Sequence, residues 1–286
     1  MITPLITPRE LRTAMDSERP PLLLDVRWRL VATGDPAAPV GYEDYLQAHL
    51  PGAVFVDLAT ELAGAPSRAA GRHPLPGREA FAASVARWGL ADGQEAVIYD
   101  DQGGLSAARA WWLLRHAGLP VRVLDGGLAA WMTDGGSIEA GEATPPTPAR
   151  RADVGWGHLP VLEADAALAL AKSPRGALLD ARAGQRYRGE EEPIDARPGH
   201  LPGALSYPTT ENLSADGRFL DVEALTQRFA GLPTSGEGTV GVYCGSGVTA
   251  AHTVLALALT GRSAALYPGS YSQYAADPTR PVAVGE

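Results

Sequence analysis

The chain holds a single cysteine, Cys244, and only three methionines among 286 residues. One thiol excludes an intramolecular disulfide, so oxidised sulfur formed at Cys244 has to be resolved by a group from outside the chain. Basic residues are also in short supply, with 24 Lys and Arg against 33 Asp and Glu and a formal net charge of −9. That balance argues against nucleic-acid binding as the main role, because phosphate backbones are held chiefly by Lys and Arg. Long apolar runs are missing as well: none approaches the ~20 residues that span a bilayer. The opening Met1-Ile2-Thr3-Pro4 shows no basic stretch followed by an apolar one. The expectation is a cytoplasmic protein with neither a nucleic-acid nor a membrane partner.

What the chain does contain is 45% apolar residues, 20% charged residues and 33 glycines, an ordinary globular composition with room for one large domain or two of usual size. Its main organising fact is a duplication. Leu22-Leu23-Leu24-Asp25-Val26-Arg27 matches Ala177-Leu178-Leu179-Asp180-Ala181-Arg182, and His49-Leu50-Pro51-Gly52-Ala53 recurs unchanged as His200-Leu201-Pro202-Gly203-Ala204. Residues 97–131 then align without a gap onto 240–274, a register that sets Asp101 opposite Cys244.

Short apolar runs at 22–24, 97–99, 121–124, 178–179 and 240–243 read as buried strands. Helical stretches are expected at 78–88, 106–117, 162–172 and 222–229, with Gly118 and Gly261 at helix C-termini. Strands separated by helices imply an α/β fold with parallel sheets flanked by helices on both faces. The expected division is a first domain over 1–140, a proline-rich linker over 141–157 and a second domain over 158–286. The duplication already supplies two domains in one chain, so a monomer suffices.

Cys244 follows an apolar strand and opens the run Cys244-Gly245-Ser246-Gly247-Val248-Thr249-Ala250. Backbone N–H groups at a helix N-terminus stabilise a thiolate, and glycines let successive amides turn toward one anion. A free cysteine is equally at home as a small buried hydrophobe. Position favours reactivity, because ligands of open α/β sheets bind outside the carboxyl ends of the strands, where this loop lies.

The paired Asp-x-Arg and His-Leu-Pro-Gly-Ala segments, the Cys-Gly-Ser-Gly-Val-Thr-Ala loop and the closing Tyr-Pro-Gly-Ser-Tyr together resemble the tandem-domain rhodanese sulfurtransferases over nearly the whole chain. The resemblance implies two rhodanese-like domains, of which the second is catalytic. It implies that a Cys244 thiolate takes the sulfane sulfur of thiosulfate or 3-mercaptopyruvate as a persulfide and passes it to cyanide or a thiol, such as a dithiol protein. No metal or organic cofactor is required. The amides of Gly245, Gly247, Val248 and Thr249 stabilise the sulfur anion, and Arg186 faces the anionic donor. Arg109 matches a family arginine near the cleft. Asp57, His73 and Ser246 occupy positions proposed to act together in mercaptopyruvate-type members. Asp180 with Arg182, and His49 with His200, recur in both halves and are read as structural. The uncharged loop favours the mercaptopyruvate type, yet Ile194 stands where that type carries a second substrate arginine, and Arg197 replaces it only if its loop bends suitably. A thiol phosphatase is disfavoured, because Ala250 occupies the position of its phosphate-binding arginine. A non-catalytic persulfide carrier is the alternative.

Overall fold

The computed structural model describes residues 3–29, 41–233 and 239–286, which form two compact α/β units. Among the described residues no helix is long and apolar enough to cross a membrane. The first unit comprises residues 1–64, 76–159 and 215–218. Its elements are β1 (Leu5–Ile6), α1 (Pro8–Met15), β2 (Leu22–Asp25), α2 (Tyr42–Gln47), β3 (Val54–Phe55), α3 (Leu58–Glu61), α4 (Arg78–Trp88), β4 (Ala96–Tyr99), α5 (Ala107–His116), β5 (Val121–Leu124) and α6 (Gly127–Thr133). Every strand pairing is parallel, in the order β1-β5-β4-β2-β3. All four residues of β2 and of β4 are buried, as a sheet covered on both faces requires. Ile6, Leu11, Leu23, Val97, Tyr99, Leu124 and Trp131 share one apolar cluster of this unit.

The second unit comprises residues 65–75, 160–214 and 219–286. Its elements are α7 (Ala164–Ala171), β6 (Gly176–Asp180), α8 (Gly184–Arg188), β7 (Leu205–Ser206), α9 (Val222–Arg228), β8 (Thr239–Tyr243), α10 (Val248–Leu259), β9 (Ala264–Leu266) and α11 (Ser270–Ala276). The sheet order β7-β6-β8-β9 repeats β3-β2-β4-β5, again wholly parallel. A parallel bridge from Val161 to Leu266 stands where β1 pairs with β5 in the first unit. The strands and helices expected from the sequence are present with boundaries moved by a residue or two, which is ordinary fraying at element ends.

Two departures from the expected domain limits have clear causes. Residues 141–157 carry prolines that preclude regular structure, yet their polar backbone groups bond along the first unit. Gly141 N–H donates to Leu46 O at 2.8 Å, Ala152 N–H to Leu90 O at 3.0 Å, and the Arg78 guanidinium to Val154 O at 3.0 Å. Residues 65–75, from the first half of the sequence, group with the second unit instead. Arg72 N–H donates to Ser272 Oγ at 3.0 Å and the Gln273 amide to Ala69 O at 2.5 Å. With no helix or strand of its own, this segment satisfies its backbone on α11.

The duplicated motifs build the same device in each unit. Arg27 forks onto Asp25 at 2.8–3.1 Å, as Arg182 does onto Asp180 at 2.6–3.2 Å, and all four side chains are buried. Each His-Leu-Pro-Gly turn is tied to its sheet by a tyrosine: Leu50 N–H reaches Tyr99 Oη at 3.0 Å and Leu201 N–H reaches Tyr243 Oη at 3.2 Å. His49 stacks on Tyr45 at 4.1 Å and His200 on Tyr187 at 3.8 Å. Burial pushes the Asp25 carboxyl up, and the Arg27 hydrogen bonds and charge oppose that shift. Arg27→Ala leaves this carboxylate buried without its partner and is expected to lower the unfolding free energy by about 3–5 kcal/mol. Denaturant titration checks this, and a loss under ~1 kcal/mol would show the pair to be dispensable.

Candidate active site

Two neighbouring parallel strands, β6 and β8, deliver the site of the second unit. Cys244 is the first residue beyond β8 and lies immediately before the turn into α10. Its side chain is buried, and the Gly247 amide donates to Sγ at 3.1 Å. Gly247 adopts φ of +77°, and a Cβ there would strike the Pro268 carbonyl, so glycine is what allows the turn to aim its amide at the sulfur. The Cys244 backbone is held in turn by Ser270, whose Oγ accepts from Cys244 N–H at 3.2 Å and donates to Tyr267 O at 2.8 Å. Ser270 has φ of +53°, the one positive value at a non-glycine residue among those described. That conformation is uncommon for a side-chain-bearing residue and is held here by these bonds. Tyr271 N–H donates to Cys244 O at 3.0 Å and Ser272 N–H to Gly245 O at 2.9 Å, fastening the loop to the start of α11.

Val248 is buried at the first position of α10, and Thr249 follows it with its carbonyl facing the Thr209 hydroxyl at 3.4 Å. Twelve residues of helix stand behind the thiol, so the positive end of the helix dipole is directed at the sulfur. Ser246 Oγ lies 2.8 Å from His73 Nδ1. His73 belongs to the segment 65–75 that groups with this unit.

Arg186, near the end of α8, donates from Nη2 to Glu192 Oε1 at 2.6 Å and to Asp195 Oδ2 at 2.9 Å. Its Nη1 lies 3.5 Å from where a Cβ on Gly245 would be, which brings its guanidinium to the cysteine loop. Burial opposes ionisation of Glu192, but the Arg186 hydrogen bond, the Asp195 and Ile194 amides and the Arg186 charge hold its carboxyl below the usual range. Glu192 also meets Arg182 Nη1 at 3.2 Å. Arg182 lies over the Tyr271 ring at 3.8 Å, and through Glu192 it joins the Asp180–Arg182 pair to the Arg186–Glu192–Asp195 cluster. Arg197 does not turn toward the loop. Its guanidinium binds the carbonyls of Ala275, Arg280 and Asp277 at 3.0, 2.9 and 2.7 Å.

Asp57 and Arg109 lie in the first unit. The Asp57 carboxylate caps α3, accepting from Ala59 N–H at 3.0 Å and Thr60 Oγ1 at 2.7 Å. Arg109 is fully buried in α5, with Nε donating to Leu62 O at 3.2 Å. Among the described residues no cluster of His, Cys, Asp and Glu is arranged to hold a metal ion.

The loop after β4 corrects the expected register. Asp25 pairs with Tyr99, and its counterpart Asp180 pairs with Tyr243, so Asp100, not Asp101, stands where Cys244 does. Asp101 instead pairs with Arg29 at 2.9 Å. The first-unit loop is one residue longer, and matches in the following helix hid that insertion. Asp100 supplies its own anion to the cradle, accepting from Gln102, Gly104, Ser106 and Ala107 N–H at 2.8–3.0 Å. Burial pushes this carboxyl up, against the pull of the four amides. Sequence reasoning also missed Arg72, Asp195, Ser270 and Ser272; the one signal for Arg72 was its position directly before His73.

A family model described as rhodanese-like domain matches residues 7–134 and again 163–277. The chain is 45% identical over 290 residues, covering 98% of it and 97% of the relative, to SseB of Mycobacterium tuberculosis, named as a candidate thiosulfate sulfurtransferase. It is 34% identical over 267 residues to the 3-mercaptopyruvate sulfurtransferase of Homo sapiens, covering 90% of this chain and 85% of that one. Among solved structures, SseA from Escherichia coli, reported for the rhodanese fold and catalytic mechanism of 3-mercaptopyruvate sulfotransferases, superposes with a TM-score of 0.79. That match has 31% identity and covers 95% of this chain and 100% of the other.

Proposed function

The chain belongs to the rhodanese family, and from that premise we propose that Cys244 is the nucleophile of a sulfurtransferase that uses thiosulfate or 3-mercaptopyruvate. The observation that carries this reading is the Gly247 amide bonded to Sγ at 3.1 Å in front of α10. A sulfur anion at this point gains a hydrogen bond and a helix dipole that reward it both as thiolate and as terminal persulfide.

The Cys244 thiolate attacks the outer sulfur of the donor, forming an S–S bond. The bond between that sulfur and its carrier breaks, with the electron pair leaving on sulfite or on the pyruvate carbon. In the second case the carbon needs a proton, for which Ser246 and His73, 2.8 Å apart, provide a path. Arg186 binds the anionic end of the donor. The amides of Gly245, Val248 and Thr249 line the cradle. A thiolate or cyanide acceptor then attacks the terminal sulfur and regenerates Cys244, and a dithiol protein suits this half-reaction. A lone thiol of this kind is kept reduced in the cytoplasm, which is the proposed compartment.

Incubation with either donor, without reductant, is expected to add the mass of one sulfur atom to the peptide that contains Cys244. Absence of the adduct with both donors would overturn the reading. Adduct formation without turnover in the presence of cyanide or dithiothreitol would leave a persulfide carrier in its place.

A further inference from the structure

We infer that Ser270 is a positioning residue for the nucleophile, its hydroxyl serving the direction of the Cys244 thiol and not the integrity of the fold; the inference rests on the sulfurtransferase reading of this site. The first unit shows what the same turn needs when no thiol is present. Gly127, directly after Gly126, aligns with Ser270, directly after Gly269. The two share one backbone conformation, with φ of +57° at Gly127 and +53° at Ser270. The residue after each ties down the end of a strand: Leu128 N–H donates to Asp100 O at 2.9 Å, as Tyr271 N–H donates to Cys244 O at 3.0 Å. Glycine enters the left-handed region without the clash that a Cβ brings, so glycine is what this turn selects by itself. In the first unit a Cβ at Gly127 would strike the Asp100 carbonyl.

The unit that carries the thiol places a serine there, against the preference of the backbone. The Ser270 side chain is fully buried. Its hydroxyl donates to Tyr267 O at 2.8 Å, which fixes the hydrogen and leaves the oxygen lone pairs for Cys244 N–H at 3.2 Å. Cys244 lies just past the strand ladder, whose last pair is Asp180 with Tyr243. Ser270 Oγ on its N–H and Tyr271 N–H on its carbonyl therefore clamp Cys244 from both sides. This clamp sets the direction in which Cβ and Sγ leave the strand, and holds Sγ at 3.1 Å from the Gly247 amide. Asp100, in the equivalent place, is oriented by its own carboxylate on the amides of Gln102, Gly104, Ser106 and Ala107, and a glycine at 127 suffices. Misplacing a reacting atom by an ångström costs up to about 10²-fold in rate. Ser270 acts on the reaction through the Cys244 peptide.

Two variants separate the hydroxyl from the backbone. Ser270→Gly removes the hydroxyl and relieves the turn, whereas Ser270→Ala removes the hydroxyl and keeps a Cβ at positive φ. Persulfide formation is followed by mass in single turnovers with thiosulfate and with 3-mercaptopyruvate, and thermal midpoints are measured on the same samples. Both variants are expected to form the persulfide about tenfold to 10²-fold more slowly at saturating donor, with the half-saturating donor concentration changed less than about threefold. Ser270→Gly should melt within a few degrees of wild type or above it, and Ser270→Ala below it. A Ser270→Gly rate within about threefold of wild type overturns the inference. A slow Ser270→Gly beside a Ser270→Ala of wild-type rate overturns it too, by placing the loss in backbone freedom. A midpoint lowered by more than about 10 °C in Ser270→Gly assigns the hydroxyl to the fold, with the same result. If wild-type protein forms no persulfide with either donor, it is the sulfurtransferase reading that fails.

Discussion

Cys244→Ser is expected to abolish sulfur transfer, lowering kcat/KM by at least about 10⁴-fold with either donor, as loss of a covalent nucleophile does elsewhere. The substitution changes one atom in a buried position where the backbone is held by Ser270 Oγ at 3.2 Å and by Tyr271 N–H at 3.0 Å. Neither contact involves the sulfur, so the fold should persist. A serine hydroxyl can accept from the Gly247 amide as Sγ does at 3.1 Å, yet it forms no persulfide. The thermal midpoint should stay within a few degrees while turnover disappears. Residual activity near that of the wild type would place the nucleophile elsewhere.

Arg186→Ala is expected to lower kcat/KM by about 10²–10³-fold, since truncating one member of a buried, hydrogen-bonded charge set costs about 2–5 kcal/mol. The loss has two sources. The donor forfeits a fork next to Gly245, and Glu192 and Asp195, whose side chains are only 3% and 2% exposed, lose their shared cation. Those carboxylates then repel the incoming anion. Arg186→Lys should fall between wild type and Arg186→Ala, since it keeps the charge without the planar fork. An unchanged kcat/KM would return Arg186 to the role of an ion-pair partner.

Much of this architecture is legible in the residues themselves. Apolar runs such as 22–24 and 240–243 can only be strands buried on both faces, and the helix at 78–88 appears with the limits its pattern predicts. The place of Cys244 was equally visible, because the apolar run 240–243 ends directly before it and a Gly-Ser-Gly turn and a helix follow. Two-residue strands such as β1 and β7 were not, since so short a run carries no periodicity. The pairing of Cys244 with Asp101 failed for a similar reason. Helix matches outweighed a one-residue insertion that only strand register exposes.

By itself the sequence determined that two copies of one α/β unit exist, that only one of them bears a thiol, and that the thiol sits at the end of a buried strand before a helix. These are local properties, written in short-range pattern and internal repetition. Tertiary structure alone decided which cations reach that thiol. Arg197, three residues beyond Ile194, binds backbone carbonyls between 275 and 280. Arg72, 172 positions before Cys244 in the chain, lies against the adjoining Gly245. The physical reason is that a segment without helix or strand carries no pattern to announce its destination. Residues 65–75 are placed by hydrogen bonds to Ser272 and Gln273, contacts that form only once the fold exists.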